Sequence, residues 1–287
     1  MTILLMKGVK VVGVETPFTS FYRLKECVHL YKKGIAYNGD VCSFPPILLL
    51  FPAVENENLW TGIFILLDFL IAFILYKIAV THTAISTHSK SIKSKSTHSK
   101  STHSKSTKEE KEEKELPKEQ TVEPMGIAMA YLLNPYTILA CAGKSLGIVT
   151  NVFVIGAIYM GLKKDINKSL LLISMASYLG LYPILLVPVL LIHFSNSRKK
   201  IDIIKGMVLF LGFSACLLIL SSAQIHSNKW LETTYKVQIL ASDLTPNIGL
   251  WWYFFIQVFN TFRLFFVVVF QFLVVIFVMP ISLKFRY

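Results

Sequence analysis

The sequence predicts an all-α fold: a polytopic membrane helical bundle with broken and half-length helices. Three observations carry that prediction. Of 287 residues, 54% are hydrophobic and only 16% charged, with mean hydropathy +0.56, too apolar for an ordinary soluble domain. The apolar residues come in runs near bilayer length, separated by short basic loops. Prolines interrupt several of those runs and divide them into helical pieces.

Taken in chain order, MTILLMKGVKVVGV is too short to span and carries Lys7 and Lys10, so it is neither a convincing signal peptide nor a whole transmembrane helix. Residues 1–58 are expected to form an N-terminal lumenal segment. Within it, 44–54 holds Pro45, Pro46 and Pro52 and predicts a short interfacial or re-entrant piece. The first clear transmembrane helix is 59–80. Residues 81–124 then change composition: STHSK-type units recur with a five-residue period before EEKEEKE, which predicts a disordered cytosolic loop. His88, His98 and His103 follow the repeat and are not metal ligands on this reading. The remainder, 125–287, predicts a transmembrane bundle with apolar segments at 125–143, 146–162, 169–194, 206–223 and 248–283. Asn134-Pro135 breaks the first of these and leaves backbone groups that a neighbour must satisfy.

The net charge of +12 raises nucleic acid as a partner, but topology accounts for it better. Eighteen Lys and Arg fall in 81–126, 162–168, 195–205 and 284–287, against nine on the other side, so the first set is expected to be cytosolic. With loops 162–168 and 195–205 on one face, 169–194 must enter and leave by that face. Two half-length helices joined at Leu181-Tyr182-Pro183 satisfy this, with Pro188 bending the return. The single sequon, Asn167-Lys168-Ser169, is then cytosolic and unglycosylated.

Several motifs invite chemistry and fail their context. Gly143-Lys144-Ser145-Leu146-Gly147 matches G-x-S-x-G, yet no strand precedes it, and Ile138 occupies the first glycine position of a phosphate loop. No HExxH, dinucleotide fingerprint or metal-ligand cluster is present in the sequence, and no cofactor is expected. Glu55 and Glu57 form the one acid-x-acid pair before the first span, as a mannosyltransferase using a lipid-linked donor would need, but beside the membrane instead of early in the loop. Asp68 lies near mid-span, where a carboxylate costs about 2.5–3.5 kcal/mol, so it must face protein or water. An interhelical hydrogen bond or pairing with Arg263 satisfies it; a contact with lipid or ion is the functional alternative. A transporter reading draws on Asp68 and the broken helices, but no inverted repeat accompanies them. Gln257, Asn260 and Arg263 recur every three residues and predict one polar stripe facing protein. Trp251, Trp252 and Tyr253 suit the membrane interface. Cys141 and Cys216 read as small buried hydrophobes; Cys27 and Cys42 pair only if lumenal, and free thiols are favoured because spacing does not fix geometry.

The run Tyr131-Leu132-Leu133-Asn134-Pro135-Tyr136-Thr137-Ile138-Leu139 with Lys144-Ser145, and Asp243-Leu244-Thr245-Pro246-Asn247-Ile248-Gly249-Leu250 before Trp252-Tyr253-Phe254-Phe255, resemble the phosphatidylinositol glycan class U (PIG-U) family. Thr16-Pro17 with Arg23 and Glu26, Gly34 with Tyr37 and Gly39, Asp68, and Leu181-Tyr182-Pro183 add shorter likenesses. The resemblance covers the chain except 81–120, where the repeat replaces a more ordinary loop. It also implies a chain truncated at both ends, and Gln257 stands where the family commonly has an acid. What it implies is a multi-pass endoplasmic reticulum subunit of the GPI transamidase complex, similar in fold to the lumen-facing GPI mannosyltransferases of GT-C type but without catalytic duty. Its implied partners are the caspase-like catalytic subunit, the class T and class S subunits, the GPI attachment protein and the GPI glycolipid or attachment signal, with no nucleic acid. On this resemblance the candidate contacts are Asn134, Lys144, Tyr182, Asp243, Asn247 and Trp252, with Lys144 meeting a phosphate or snorkelling to the interface.

Overall fold

The computed structural model describes residues 16, 18–39, 41–50, 57–98, 123–194, 200–225, 229–240, 244, 246 and 251–284. Among them the regular structure is helical, apart from one isolated antiparallel bridge between Ser20 and Ser145. The helices are α1 (Phe21–Lys32), α2 (Pro46–Leu49), α3 (Glu57–His98), α4 (Pro124–Leu132), α5 (Pro135–Ala142), α6 (Gly147–Leu162) and α7 (Ile166–Leu179). After a 3-10 turn at Tyr182–Leu186 come α8 (Val187–Phe194), α9 (Lys200–Gln224) and α10 (Lys229–Leu231). A π-helical turn, Glu232–Lys236, leads to α11 (Val237–Leu240), followed by α12 (Trp251–Gln257) and α13 (Asn260–Lys284).

Among the described residues three segments are long and apolar enough to cross a membrane: Asn58–Thr83, Ile203–Gln224 and Asn260–Val278. Helices α4 and α5, bent by 47°, make a fourth if counted as one broken span. The chain is an all-α helical membrane protein, as its composition predicts. Helices α6 and α7, with 16 and 14 residues, fall short of the roughly 20 that a full crossing needs.

Both expected breaks are present. Pro135 has no N–H to continue α4, and the Asn134 side chain caps α5 by accepting from the Tyr136 N–H at 3.0 Å. Near Leu181-Tyr182-Pro183, α7 ends at Leu179 and the chain resumes as the 3-10 turn. The Leu181 N–H freed there donates to Gln238 Oε1 at 3.3 Å, so a distant segment satisfies the break.

Three expectations are corrected. Helix α3 runs on to His98, into the stretch whose composition predicts a disordered loop. No Gly or Pro lies between Ile63 and His98, and extending an existing helix adds a hydrogen bond per residue without a new nucleation cost. The apolar stretch 248–283 is not continuous: α12 stops at Gln257 and α13 starts at Asn260. Phe254 then packs against Phe266 and Phe270, with ring centroids 5.1 and 5.7 Å apart, so α12 folds back along α13. Finally, Cys27 and Cys42 form a disulfide with Cα atoms 5.1 Å apart. Spacing alone hid this, because the turn after α1 returns the chain to that helix.

Two buried clusters hold the helices together. In the first, Phe21, Leu24, Cys27 and Val28 of α1 meet Trp60, Phe64 and Ile71 of α3, with Leu146, Ile148, Tyr178 and Trp230. Phe21 sits 5.4 Å from the Trp60 ring and 6.1 Å from Phe64. The second joins Ala157 of α6, Leu170, Ile173 and Ala176 of α7, Leu190 and Leu191 of α8, and Phe210 of α9. Small residues allow close approach there: Ser169 Oγ reaches the Ala157 carbonyl at 2.7 Å.

Candidate functional site

Among the described residues, two cavities lie beside the breaks. The larger, about 500 Å³, lies between the residues preceding α1, the start of α6 and the break after α7. Phe18, Phe44, Leu146, Val149 and Leu179 supply apolar walls, and among the described residues the polar lining is neutral: Thr16, Thr19, Thr150, Asn151, Tyr182 and Gln238. Local structure fixes several of these. The Leu146 N–H donates to the Thr19 carbonyl at 2.8 Å, pinning the start of α6 to the segment before α1. Gln238 is held by Leu181, and Tyr182 Oη accepts from Gln271 Nε2 of α13 at 2.9 Å. Hydroxyls, amides and aromatic faces suit a neutral polyol.

Behind this cavity runs a buried polar network. Tyr178 Oη bonds to Ser221 Oγ and accepts from the Ile47 N–H at 3.3 Å, while Tyr235 Oη donates to the Tyr178 carbonyl at 2.8 Å. Gln224 Nε2 donates to Tyr31 Oη and to the Pro46 carbonyl, each at 3.2 Å. The Phe44 carbonyl accepts from Tyr37 Oη at 2.8 Å and from Thr234 Oγ1 at 3.4 Å. Burial first, and then the neighbouring Tyr178, pushes the Tyr37 and Tyr235 phenols above their ordinary range. Together these bonds tie α1, the loop carrying α2, α7, α9 and residues 229–240 into one frame.

The smaller cavity, about 140 Å³, is a slot between α3 and α5. Helix α4 packs against α3, and the 47° bend carries α5 away from it, opening a wedge. Thr61, Ile65, Asp68 and Phe69 line one side; Leu132, Thr137, Ile138, Cys141, Ala142 and Lys144 line the other. Asp68 is buried and accepts from Tyr131 Oη at 3.1 Å. Lys144 stands in the turn after α5 with φ of 55°, a left-handed conformation unusual for a residue with a Cβ.

A family model described as "GPI transamidase subunit PIG-U" matches residues 9–287. The chain belongs to the PIG-U family. It is 32% identical over 280 residues to the GPI transamidase component GAB1 of Saccharomyces cerevisiae, covering 96% of this chain and 61% of that protein. It is 30% identical to the GAB1 homolog of Schizosaccharomyces pombe and 30% identical to the GPI-anchor transamidase component PIGU of Homo sapiens, covering 96% of this chain and 62% and 64% of those proteins. The chain thus spans less than two thirds of the length of these relatives.

Among the residues singled out from sequence, Asp68 and Lys144 both line the slot, with the Lys144 Nζ over the Phe21 ring at 5.9 Å, and Tyr182 lines the larger cavity. Asn134 is an exposed helix cap that belongs to neither lining. Trp252 is half-buried, 5.8 Å from the Tyr253 ring. Asp243 and Asn247 lie outside the described residues, as does Glu55. Asp68 does not pair with Arg263: Arg263 Nε donates to the Phe255 carbonyl at 2.9 Å and Nη1 to Asn260 Oδ1 at 3.4 Å, so it bridges the break between α12 and α13. That break also divides the expected stripe, and Gln257 and Asn260 are exposed on this chain. Sequence reasoning missed Thr150, Asn151 and Gln238. The Thr-Asn pair inside the apolar run 146–162 was a usable signal; Gln238 offers none, because its importance comes from a break 57 residues away.

Proposed function

We propose that this chain acts as a non-catalytic subunit of GPI transamidase in the endoplasmic reticulum membrane, and that its larger cavity receives the glycan of the GPI lipid. The observation that carries this is a family match from residue 9 to 287 in a chain with a cavity of about 500 Å³ whose described lining is rich in hydroxyls and amides. The relatives carry the names of transamidase components, which favours attachment of the anchor over transfer of mannose. With the expected orientation, the loop after α5 and residues 229–240 face the lumen, where the anchor is attached. On this reading the caspase-like subunit, the class T and class S subunits and the GPI attachment protein complete the assembly. Asn151→Leu and Gln238→Leu should each reduce surface display of GPI-anchored proteins at normal expression. Unchanged display in cells dependent on the double variant would remove the cavity from the account.

A further inference from the structure

One wall of the larger cavity is closed by hydrogen bonds among three segments far apart in the chain. The Leu181 N–H donates to Gln238 Oε1 at 3.3 Å, and Gln271 Nε2 of α13 donates to Tyr182 Oη at 2.9 Å and to the Ile239 carbonyl at 3.3 Å. Leu181 adjoins Tyr182 and Gln238 adjoins Ile239, so these bonds and the chain itself form a closed circuit. Tyr182 and Gln238 line the cavity, whereas Gln271 stands behind them, outside the lining. It lies in the middle of the span Asn260–Val278, about 16 Å from Asn260 at 1.5 Å per residue. An amide at that depth is costly unless its donors are satisfied. Around it on α13, Phe265, Val268, Phe272 and Val275 are apolar and exposed on this chain, so Gln271 is the polar side chain that α13 sends to the second break. Because Tyr182 Oη accepts from Gln271, its own O–H proton is left to donate, and among the described residues nothing takes it.

We propose that Gln271 is a positioning residue for the larger cavity, resting, for the ligand, on the glycan reading of that cavity. It touches no ligand. It fixes the Tyr182 phenol so that the O–H is presented to a sugar hydroxyl, and it holds residues 238–239 against the break so that Gln238 stays in the lining. Donors held in place before the ligand arrives lose less freedom on binding, so releasing them weakens binding with every lining residue still present. Ser282 provides the contrast on the same helix: it is buried, but its Oγ returns to the Val278 carbonyl of α13 at 2.7 Å.

The test is the rate at which N-ethylmaleimide labels a Thr150→Cys chain in microsomes carrying the native complex. Thr150 lines the cavity, and a Cβ on Gly180 would come within 3.9 Å of Thr150 Cγ2, so a thiol there reports on the break. The labelled peptide is identified by mass spectrometry, which separates it from the free thiols of Cys141 and Cys216. Gln271→Met keeps the length of the side chain, removes both donors and should change the rate at least about fivefold, the factor for one net hydrogen bond. Tyr182→Phe removes the same bond from the other side without altering α13, so its effect stands even where a substituted α13 fails to insert. The two together should change the rate no more than Gln271→Met alone. Ser282→Ala should leave it unchanged. Surface display of GPI-anchored proteins is scored in parallel with Thr150 intact. Altered labelling with reduced display supports the positioning role; altered labelling with normal display upholds the clamp and removes the glycan reading instead. An unaltered rate in Gln271→Met and Tyr182→Phe, effects that multiply in the double variant, or an equal change in Ser282→Ala overturns the proposal.

Discussion

Breaking the Cys27–Cys42 disulfide should loosen the N-terminal segment by an amount that its loop length sets. The bridge joins residues 15 apart, and closing a loop of that size removes denatured-state entropy worth about 3 kcal/mol. Both cysteines are fully buried, and Cys27 shares the α1 face that packs on Trp60 and Phe64 through Phe21. Cys27→Ala/Cys42→Ala, compared with the reduced and oxidised native chain, separates the cross-link from the small packing loss. The assay is hydrogen exchange of the α1 amides in a lipid nanodisc. If exchange proceeds through opening of this segment, about 3 kcal/mol corresponds to roughly 100-fold faster exchange. Exchange in α1 that stays within about threefold of native would refute the loop-entropy reasoning. Alkylation of Cys27 in the unreduced native chain would refute the bridge itself. The bridge also bears on orientation, since disulfides persist in oxidising compartments and this segment is expected to be lumenal.

Three further outcomes follow from the packing. Tyr178→Phe removes the hydroxyl shared by Ser221 and the Ile47 N–H, and should cost about 1–3 kcal/mol, seen as a lower melting temperature in detergent; an unchanged melt would show that the network adds little. A Cβ on Gly206 would fall 2.4 Å from Leu191 Cδ2, in a buried cluster, whereas one on Gly212 meets nothing within 4 Å. Gly206→Ala should therefore destabilise by about 1 kcal/mol or more, and Gly212→Ala should be neutral or stabilising by up to about 1 kcal/mol, in the same thermal assay. Because burial holds the Tyr37 and Tyr235 phenols above their ordinary value, the folded state keeps protons that the unfolded state releases above about pH 10. Stability should be flat below that pH and fall as pH rises beyond it; a melting temperature constant from pH 9 to pH 11 would contradict this.

Much of the fold is legible in the sequence because membrane helices must be long, apolar and broken only where a neighbour can repair them. Asn134-Pro135 announces both the break and its cap, and Leu181-Tyr182-Pro183 marks the second break. What stayed hidden depends on residues far apart in the chain. Gln224 meets Tyr31 across 193 positions and Gln238 meets Leu181 across 57, and no local pattern encodes either contact. Composition also misleads at the end of α3, where Ser and Lys suggest disorder but a long apolar helix has already nucleated. Arg263 illustrates a different failure: an intramembrane acid and an intramembrane base suggest a pair, yet the arginine serves carbonyl and amide groups at its own helix break. Of the candidate contacts, Lys144 and Tyr182 fall in cavities because both stand at breaks, where backbone departs from helix and space opens.

The most direct test of the central claim is the GPI species that accumulate when the gene for this chain is removed, measured by mass spectrometry alongside re-expression of this 287-residue chain. The account predicts accumulation of complete GPI bearing ethanolamine phosphate, because the block falls at attachment to protein. Accumulation of an under-mannosylated precursor would contradict it and return attention to Glu55 and Glu57.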